Sequence, residues 1–282
     1  MLKALERNIE SIDERIVLLA PSDGVVSDFF SNVQVDVASH DHLLHEIQRF
    51  RGAIYLQDGA IHSDQLTTDG RHVTVEDEKA WHMVLLNKQQ RVDASAIYLE
   101  HRNTVEAESL RVRHCPLAHE SEWRPRLWQA IKNELARARN ENLDFVELGG
   151  WAVAPESRRT SGPLTMALAV YGFSRRHGGA LGMTTATFRH CSAVILERLG
   201  GSRFEADGHT LPPYFDPRYN CMMEMLRFDS RSPNPKYVAL IDQLRDKLSN
   251  VQVVTRPAWS AFTPPFNTLV GPAGSVQPSF AA

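Results

Sequence analysis

Five consecutive residues, Arg158-Arg159-Thr160-Ser161-Gly162, stand between an apolar run that stops at Pro155 and a helical pattern that opens at Pro163. A helix N-terminus carries unpartnered backbone N–H groups and a partial positive charge, so it attracts phosphate. Ser161 or Gly162 can cap that helix, and Pro163 suits its first position because the N–H it lacks has no partner there. Strand, basic turn and capped helix together make a seat for a phosphorylated carrier. Just upstream, Glu147 interrupts the apolar run DFVELGGWAV, residues 144–153. In a period-two strand it shares a face with Gly149 and Trp151, which lets its carboxylate act as a general base toward an amine, directly or through a water. The competing reading is a carboxylate paired with a nearby arginine. The adjacent glycines allow backbone to approach a ligand closely, or mark a bulge.

These residues need elements to hold them. From Ser121 to Asn142 a helix, with Trp123, Leu127, Ile131 and Leu135 at every fourth position, delivers the chain into the strand over 144–153. The helix after Pro163 buries Leu164, Ala167, Leu168 and Tyr171, and Gly178-Gly179 ends it. Residues 180–187 read as the next strand and Ser192 to Leu199 as a short helix. A late strand over 219–228 and a closing helix from Lys236 to Leu248 follow. Upstream, 81–87 and 92–101 read as two strands, and a helix capped by Ser39 or Asp41 carries Leu43, Leu44, Ile47 and Phe50 on one face. His40, His42 and His45 lie there without a fitting carboxylate or cysteine, so no metal site is expected. Leu5, Ile9, Ile12, Ile16 and Leu19 predict an amphipathic helix over 2–20. The expected organisation is an N-terminal helical extension over 1–38, a mixed α/β domain over 39–254 and a proline-rich tail over 255–282, either disordered or laid over an apolar groove.

Composition narrows the function classes. At 282 residues, 43% apolar and 23% charged, the chain reads as an ordinary globular protein able to bury roughly three quarters of its unfolded surface. Thirty-one basic against 34 acidic residues, a net charge of −3, argues against non-specific nucleic-acid binding. No run approaches the ~18 apolar residues of a membrane span. The charged opening lacks a secretory core, and the three cysteines, Cys115, Cys191 and Cys221, form no CxxC pair; a cytoplasmic location is expected.

The segment Asp144 to Leu168 resembles the central strand, donor loop and helix of the GNAT acyltransferases, whose loop runs Arg/Gln-x-x-Gly-x-Gly/Ala; here Arg159-Thr160-Ser161-Gly162 supplies the first half and Leu164 replaces the last small residue. Glu147 to Val153 also resembles the Glu-x-Ser-Arg-Phe-x-Val strand of acyl-homoserine-lactone synthases, with Gly149, Gly150 and Trp151 replacing Ser-Arg-Phe. Arg51-x-x-x-Tyr55 followed by Asp77-x-x-x-Trp81-His82 is similar to the start of that group and of the N-acyl amino acid synthases.

The resemblance implies a GNAT-like fold: a mixed, mostly antiparallel sheet flanked by helices and splayed at the central strand. It implies an N-acyltransferase moving a fatty acyl group from an acyl carrier protein or acyl-CoA thioester to an amine, as of an amino acid. The alternatives it leaves are an acyl-homoserine-lactone-type synthase and a non-catalytic acyl- or carrier-binding module. It implies Glu147 as general base, backbone N–H groups from Trp151 to Val153 facing the thioester, and Arg158, Arg159, Thr160, Ser161, Gly162 and Arg189 on the donor's phosphate or on an acidic carrier. Loss of the last loop glycine fits a carrier protein, whose pantetheine arm alone must thread the cleft, better than full coenzyme A. Arg51, Tyr55, Trp81 and Glu100 are the expected acceptor-side residues, with Glu100 and His101 the reserve bases. Ala96 and Tyr98 stand where relatives carry Gly and Arg. The helix over 190–199 lacks the tyrosine that protonates the leaving thiolate in many acetyltransferases, which leaves Cys191, Ser192, Tyr214 and Tyr219.

Overall fold

The computed structural model describes Leu5, Ile9 and residues 15–257, and both the proline-rich tail beyond 257 and most of the expected N-terminal helix lie outside them. The first described strand, β1 (Ile16–Leu19), departs from expectation. Its spacing continues the helical pattern of Leu5, Ile9 and Ile12, but Ile-Val-Leu-Leu is buried at all four positions, as befits a strand covered on both faces. β2 (Val33–Val35) is an exposed edge strand. Helix α1 (Val37–Gln57) starts earlier than the sequence suggests, because Asp36 is the N-cap and accepts from Ser39 N at 2.7 Å.

There follow β3 (Trp81–Leu86), β4 (Val92–His101), three 3-10 turns, α2 (Arg124–Asn140) and β5 (Asp144–Val153). Next come α3 (Gly162–Arg176), β6 (Ala180–Thr187) and α4 (Ser192–Leu199). The short strands β7 (Ser202–Arg203), β8 (Glu205–Ala206), β9 (His209–Thr210) and β10 (Tyr214–Asp216) precede β11 (Cys221–Asp229), α5 (Val238–Lys247) and β12 (Gln252–Thr255). One mixed sheet runs β10-β11-β6-β5-β4-β3-β1-β12-β2, with β7 also on β11. Most of its pairs are antiparallel; β5 with β6, β1 with β12 and β12 with β2 are parallel. Among the described residues no helix is long and apolar enough to cross a membrane.

The two faces differ. α3 and α5 cover one, over a core of Leu18, Met83, Ala96, Tyr98 and Val146; α3 is buried on nearly every side because it lies between sheet and helix. α2 covers part of the other face, over Phe145, Leu181, Met183 and Met225, and α1 packs beside it over Val17, Val84 and Val254. A buried ion pair fastens α1 to the loop before β3. Arg51, 1% exposed, donates to both oxygens of Asp77, at 2.7 and 2.9 Å, and Asp77 also accepts from Gln48 and Thr74. His82, fully buried, places Nε2 2.7 Å from the Asp77 carbonyl.

The central irregularity is in β5. Ile97 opposes Gly149 and Ser95 opposes Ala152, so Gly150 and Trp151 together face the single residue Ala96. This is a β-bulge whose first residue, Gly150, has φ +59°, a conformation glycine adopts without strain. On the other edge, the parallel pairing with β6 stops at Leu148 opposite Thr184, although β5 runs on to Val153 and β6 to Thr187. The sheet is therefore splayed at its central strand, as the resemblance implied.

Two outcomes test this framework. A Cβ at Gly150 would sit 2.6 Å from Ile97 Cδ1. Gly150→Val should therefore lower the unfolding free energy by at least ~2 kcal/mol, the left-handed backbone alone costing about 1–2. Gly150→Ala should be partly rescued by Ile97→Ala in urea titrations; unchanged stability of the valine variant would refute the bulge. The second outcome concerns pH. Burial holds His82 down to about 4, from an ordinary 6.5, and burial followed by the Arg51 charge does the same to His72. Both fold as neutral rings, so their contribution is complete above pH 6.5 and is lost as pH falls toward 4. The stability of wild-type protein should drop across that window. His82→Gln should remove up to about 1.4 kcal/mol per pH unit of the slope, and an unaltered slope would show that His82 does not titrate there.

Candidate active site

The bulge sets which backbone groups of β5 point into the splay. Ala154 N donates to Asp93 O at 2.9 Å, which makes 154 and 152 the residues that exchange hydrogen bonds with β4. Val153 lies between them and turns its N–H and C=O to the opposite edge, where β6 has departed. Its carbonyl is taken by Arg158 Nε at 3.2 Å, which leaves the Val153 N–H directed into the gap. The bulge also corrects one expectation. Trp151 does not share a face with Glu147: the extra residue turns its side chain toward the α3 core, while Glu147 and Gly149 face the α1 and α2 side.

Glu147 is 4% exposed and already held by three donors. Arg111 N and His101 Nε2 each reach Oε2 at 3.0 Å, and Val112 N reaches Oε1 at 3.3 Å. The turn Arg111–His114 is thus fastened to the strand by a carboxylate. His101, a reserve base in the sequence, is here the partner of Glu147. Glu100 points the other way: its β-partner is Val146, and desolvation together with the Asp144 carboxylate pushes it up to about 7.

The donor loop is built as the sequence suggests but uses its arginines differently. Thr160 Oγ1 donates to Ser157 O at 2.9 Å and accepts from Gly162 N at 3.3 Å, and Ser161 O accepts from both N and Oγ1 of Thr165. Ser157 Oγ anchors the loop to Asp93 of β4 at 2.6 Å. Arg158 was expected to meet phosphate, but Asp58, the C-cap of α1, takes its Nη2 at 2.8 and 3.0 Å, and His190 Nε2 lies 3.0 Å from Nη1. Arg159 is exposed and unpaired among the described residues, while Arg189 donates to Asn220 O at 3.1 Å. A Cβ at Gly162 would lie 2.9 Å from Leu85 and 3.9 Å from Arg15 Nη2. Glycine is needed for α3 to start this close to β3, and Arg15, unforeseen in the sequence, stands beside the helix mouth.

Of the expected acceptor-side residues, Tyr55 reaches the bulge of β5. Its hydroxyl is 3.4 Å from Trp151 O, and its ring meets His72 and Tyr219 edge-on. Burial and the neighbouring Tyr219 push its phenol well above the ordinary range, against the pull of Arg51 and Arg111, so it is a neutral hydroxyl. Arg51 is buried and engages Asp77 and His72 O through Nη2, with Nε and Nη1 left without a partner among the described residues. Trp81 lies in the core of the opposite face, packed on Phe30 and Phe173. Among the thiolate-proton candidates, Tyr214 is 4% exposed, Ser192 Oγ donates to Arg189 O, and Cys191 is exposed on a left-handed residue at the start of α4. Tyr219 is the one whose ring meets Tyr55, edge-on. No group of His, Cys, Asp and Glu among the described residues could hold a metal ion.

No family model and no curated protein matches the chain. Solved structures do. A CoA-dependent acyl-homoserine lactone synthase, BjaI, solved with SAM and isopentyl-CoA, is 16% identical over 86% of this chain and 93% of its own, with a TM-score of 0.51. Its structure with MTA gives the same values. FeeM, an N-acyl amino acid synthase from uncultured soil microbes, is 12% identical over 70% of this chain and 88% of its own, at a TM-score of 0.45. At such identities it is the BjaI structures that carry weight, and what they establish is architecture: the chain has the GNAT-like mixed α/β fold.

Proposed function

We propose that the protein is an N-acyltransferase that moves an acyl group from a carrier thioester to the amine of a small molecule such as an amino acid. One observation carries this reading: β5 and β6 part after Leu148, with the Val153 N–H turned into the opening and the α3 N-terminus at its end. A pantetheine arm in that gap would hydrogen-bond β5 as a missing strand would. Its thioester oxygen would meet the Val153 N–H, which polarises the carbonyl and stabilises the charge that develops there. Phosphate would sit at the mouth of α3 with Arg159 and Arg15, since Arg158 is tied to Asp58. The fold likeness to a synthase solved with isopentyl-CoA favours a thioester of this kind.

In the reaction the acceptor nitrogen attacks the thioester carbon. A C–N bond forms, the C–S bond breaks, the nitrogen loses a proton and the leaving thiolate gains one. Glu147 is the acceptor of the first proton, held in place by His101 and by the amides of Arg111 and Val112. Tyr219 is the donor of the second. A non-catalytic module of the same fold is the second reading, favoured by the fact that both oxygens of Glu147 already have internal donors.

The test is to incubate purified protein with lauroyl-CoA or lauroyl-loaded carrier protein and an amino-acid mixture, and in a separate arm with SAM, following new amides by mass spectrometry. Amides of amino acids are the expected product; an acyl lactone from the SAM arm would instead favour the lactone-synthase reading. Glu147→Gln should cut kcat about 10²- to 10⁴-fold while donor affinity stays within about twofold. Intact donor with every acceptor would leave only the binding module.

A further inference from the structure

Arg111 lies over the bare backbone of Gly149. A Cβ there would be 2.7 Å from Arg111 Nη1, 3.5 Å from Cζ and 3.6 Å from Nη2, so the glycine exists in the space the guanidinium fills. The backbone of Arg111 is fixed beside the strand, because its N–H is bonded to Glu147, two residues from Gly149. Yet its charged end is poorly used. Its side chain is 27% exposed, and its one ion pair among the described residues is a 3.8 Å approach of Nε to Glu76 Oε1, too long for a hydrogen bond. Of the arginines around it, Arg158 and Arg218 are spent on Asp58 and Asp216, each through two or more hydrogen bonds, and Arg51, paired with Asp77 through Nη2, is 1% exposed. Arg111 thus presents Nη1 and Nη2 beside the bulge, on the face that carries Glu147, and near enough to Tyr55 to act on its phenol.

A guanidinium fork with two free N–H edges matches a carboxylate in both shape and charge. We propose that Arg111 is the seat for the carboxylate of the acceptor, which makes the acceptor class an α-amino acid rather than a simple amine. With the carboxylate on Arg111, the adjacent amino group lies between Glu147, which takes its proton, and the thioester at Val153. Gly149 keeps the strand bare so that the fork can lie flat upon it, and Glu76 holds the charged end without consuming its donors. This assignment rests on the acyltransferase reading and narrows it.

Binding of product-like amides tests it without turnover. N-lauroyl-tyrosine and N-lauroyltyramine differ only in the carboxylate, and equilibrium dialysis against the purified full chain gives both affinities. Wild-type protein should prefer the acid roughly 10- to 100-fold, the worth of a charge-assisted contact. Arg111→Gln should erase the preference by weakening the acid alone, and Arg111→Lys should keep part of it. If Arg111→Gln does not fold, Gly149→Ala takes its place: the methyl displaces the guanidinium without altering charge and should reduce the same ratio. Equal wild-type affinities, or a preference that survives in a folded Arg111→Gln protein, would overturn the assignment. Failure of both amides to bind would overturn it as well, and the transfer assay then decides whether the acyltransferase reading falls with it.

Discussion

A single left-handed glycine decides how this sheet can be used. Gly150 inserts one extra residue into β5, and that insertion does three things. It sends Trp151 into the α3 core, keeps Glu147 and Gly149 on the opposite face, and sets the phase in which Ala152 and Ala154 satisfy β4. Val153, between them, is then obliged to turn its N–H away from β4. Backbone N–H groups cannot stay unpaired in a protein interior without cost, so a strand built this way asks for a partner on its open edge. β6 could have been that partner, but it pairs only as far as Thr184.

Around that opening, charge is handled in two different ways. Arg158 is paired with Asp58 through two hydrogen bonds, and Arg51 is paired with Asp77 at 1% exposure with its Nε and Nη1 left without a partner among the described residues; removing one member of the buried Arg51–Asp77 pair leaves an uncompensated charge, which is strongly destabilising. Arg111 and Glu147 are neighbours that do not pair with each other through their side chains. The carboxylate takes the arginine's backbone instead, which holds the turn and frees the guanidinium. The same local chemistry therefore yields rigid fastenings at two arginines and leaves the guanidinium of a third, Arg111, under-used beside the bulge.

Much of the framework was readable from local pattern. β4, β5, β6 and α4 have the spans that periodicity and punctuation predict, because each is bounded by turn residues close by in sequence. β1 was misread since Ile16 and Leu19 continue a helical spacing, and only the sheet contacts of Val17 and Leu18 decide against it. Pairings across long separations could not be read at all. Arg158 finds Asp58 one hundred residues earlier, Trp81 is drawn into the core by Phe30 and Phe173, and Arg111 and Arg15 become relevant through what they approach in space. The two adjacent glycines were the one local signal for the Arg111 contact, and they were equally well explained by the bulge.

The Asp58–Arg158 contact joins two walls that the sequence keeps far apart. α1 carries Tyr55 and ends at Asp58; the loop carrying Arg159 begins at Arg158. With both ends riveted together, and His190 at the same joint, the spacing between the two halves of the cleft is fixed before anything enters it. Whatever occupies the gap meets a ready-made width and spends little of its binding energy on drawing the walls together.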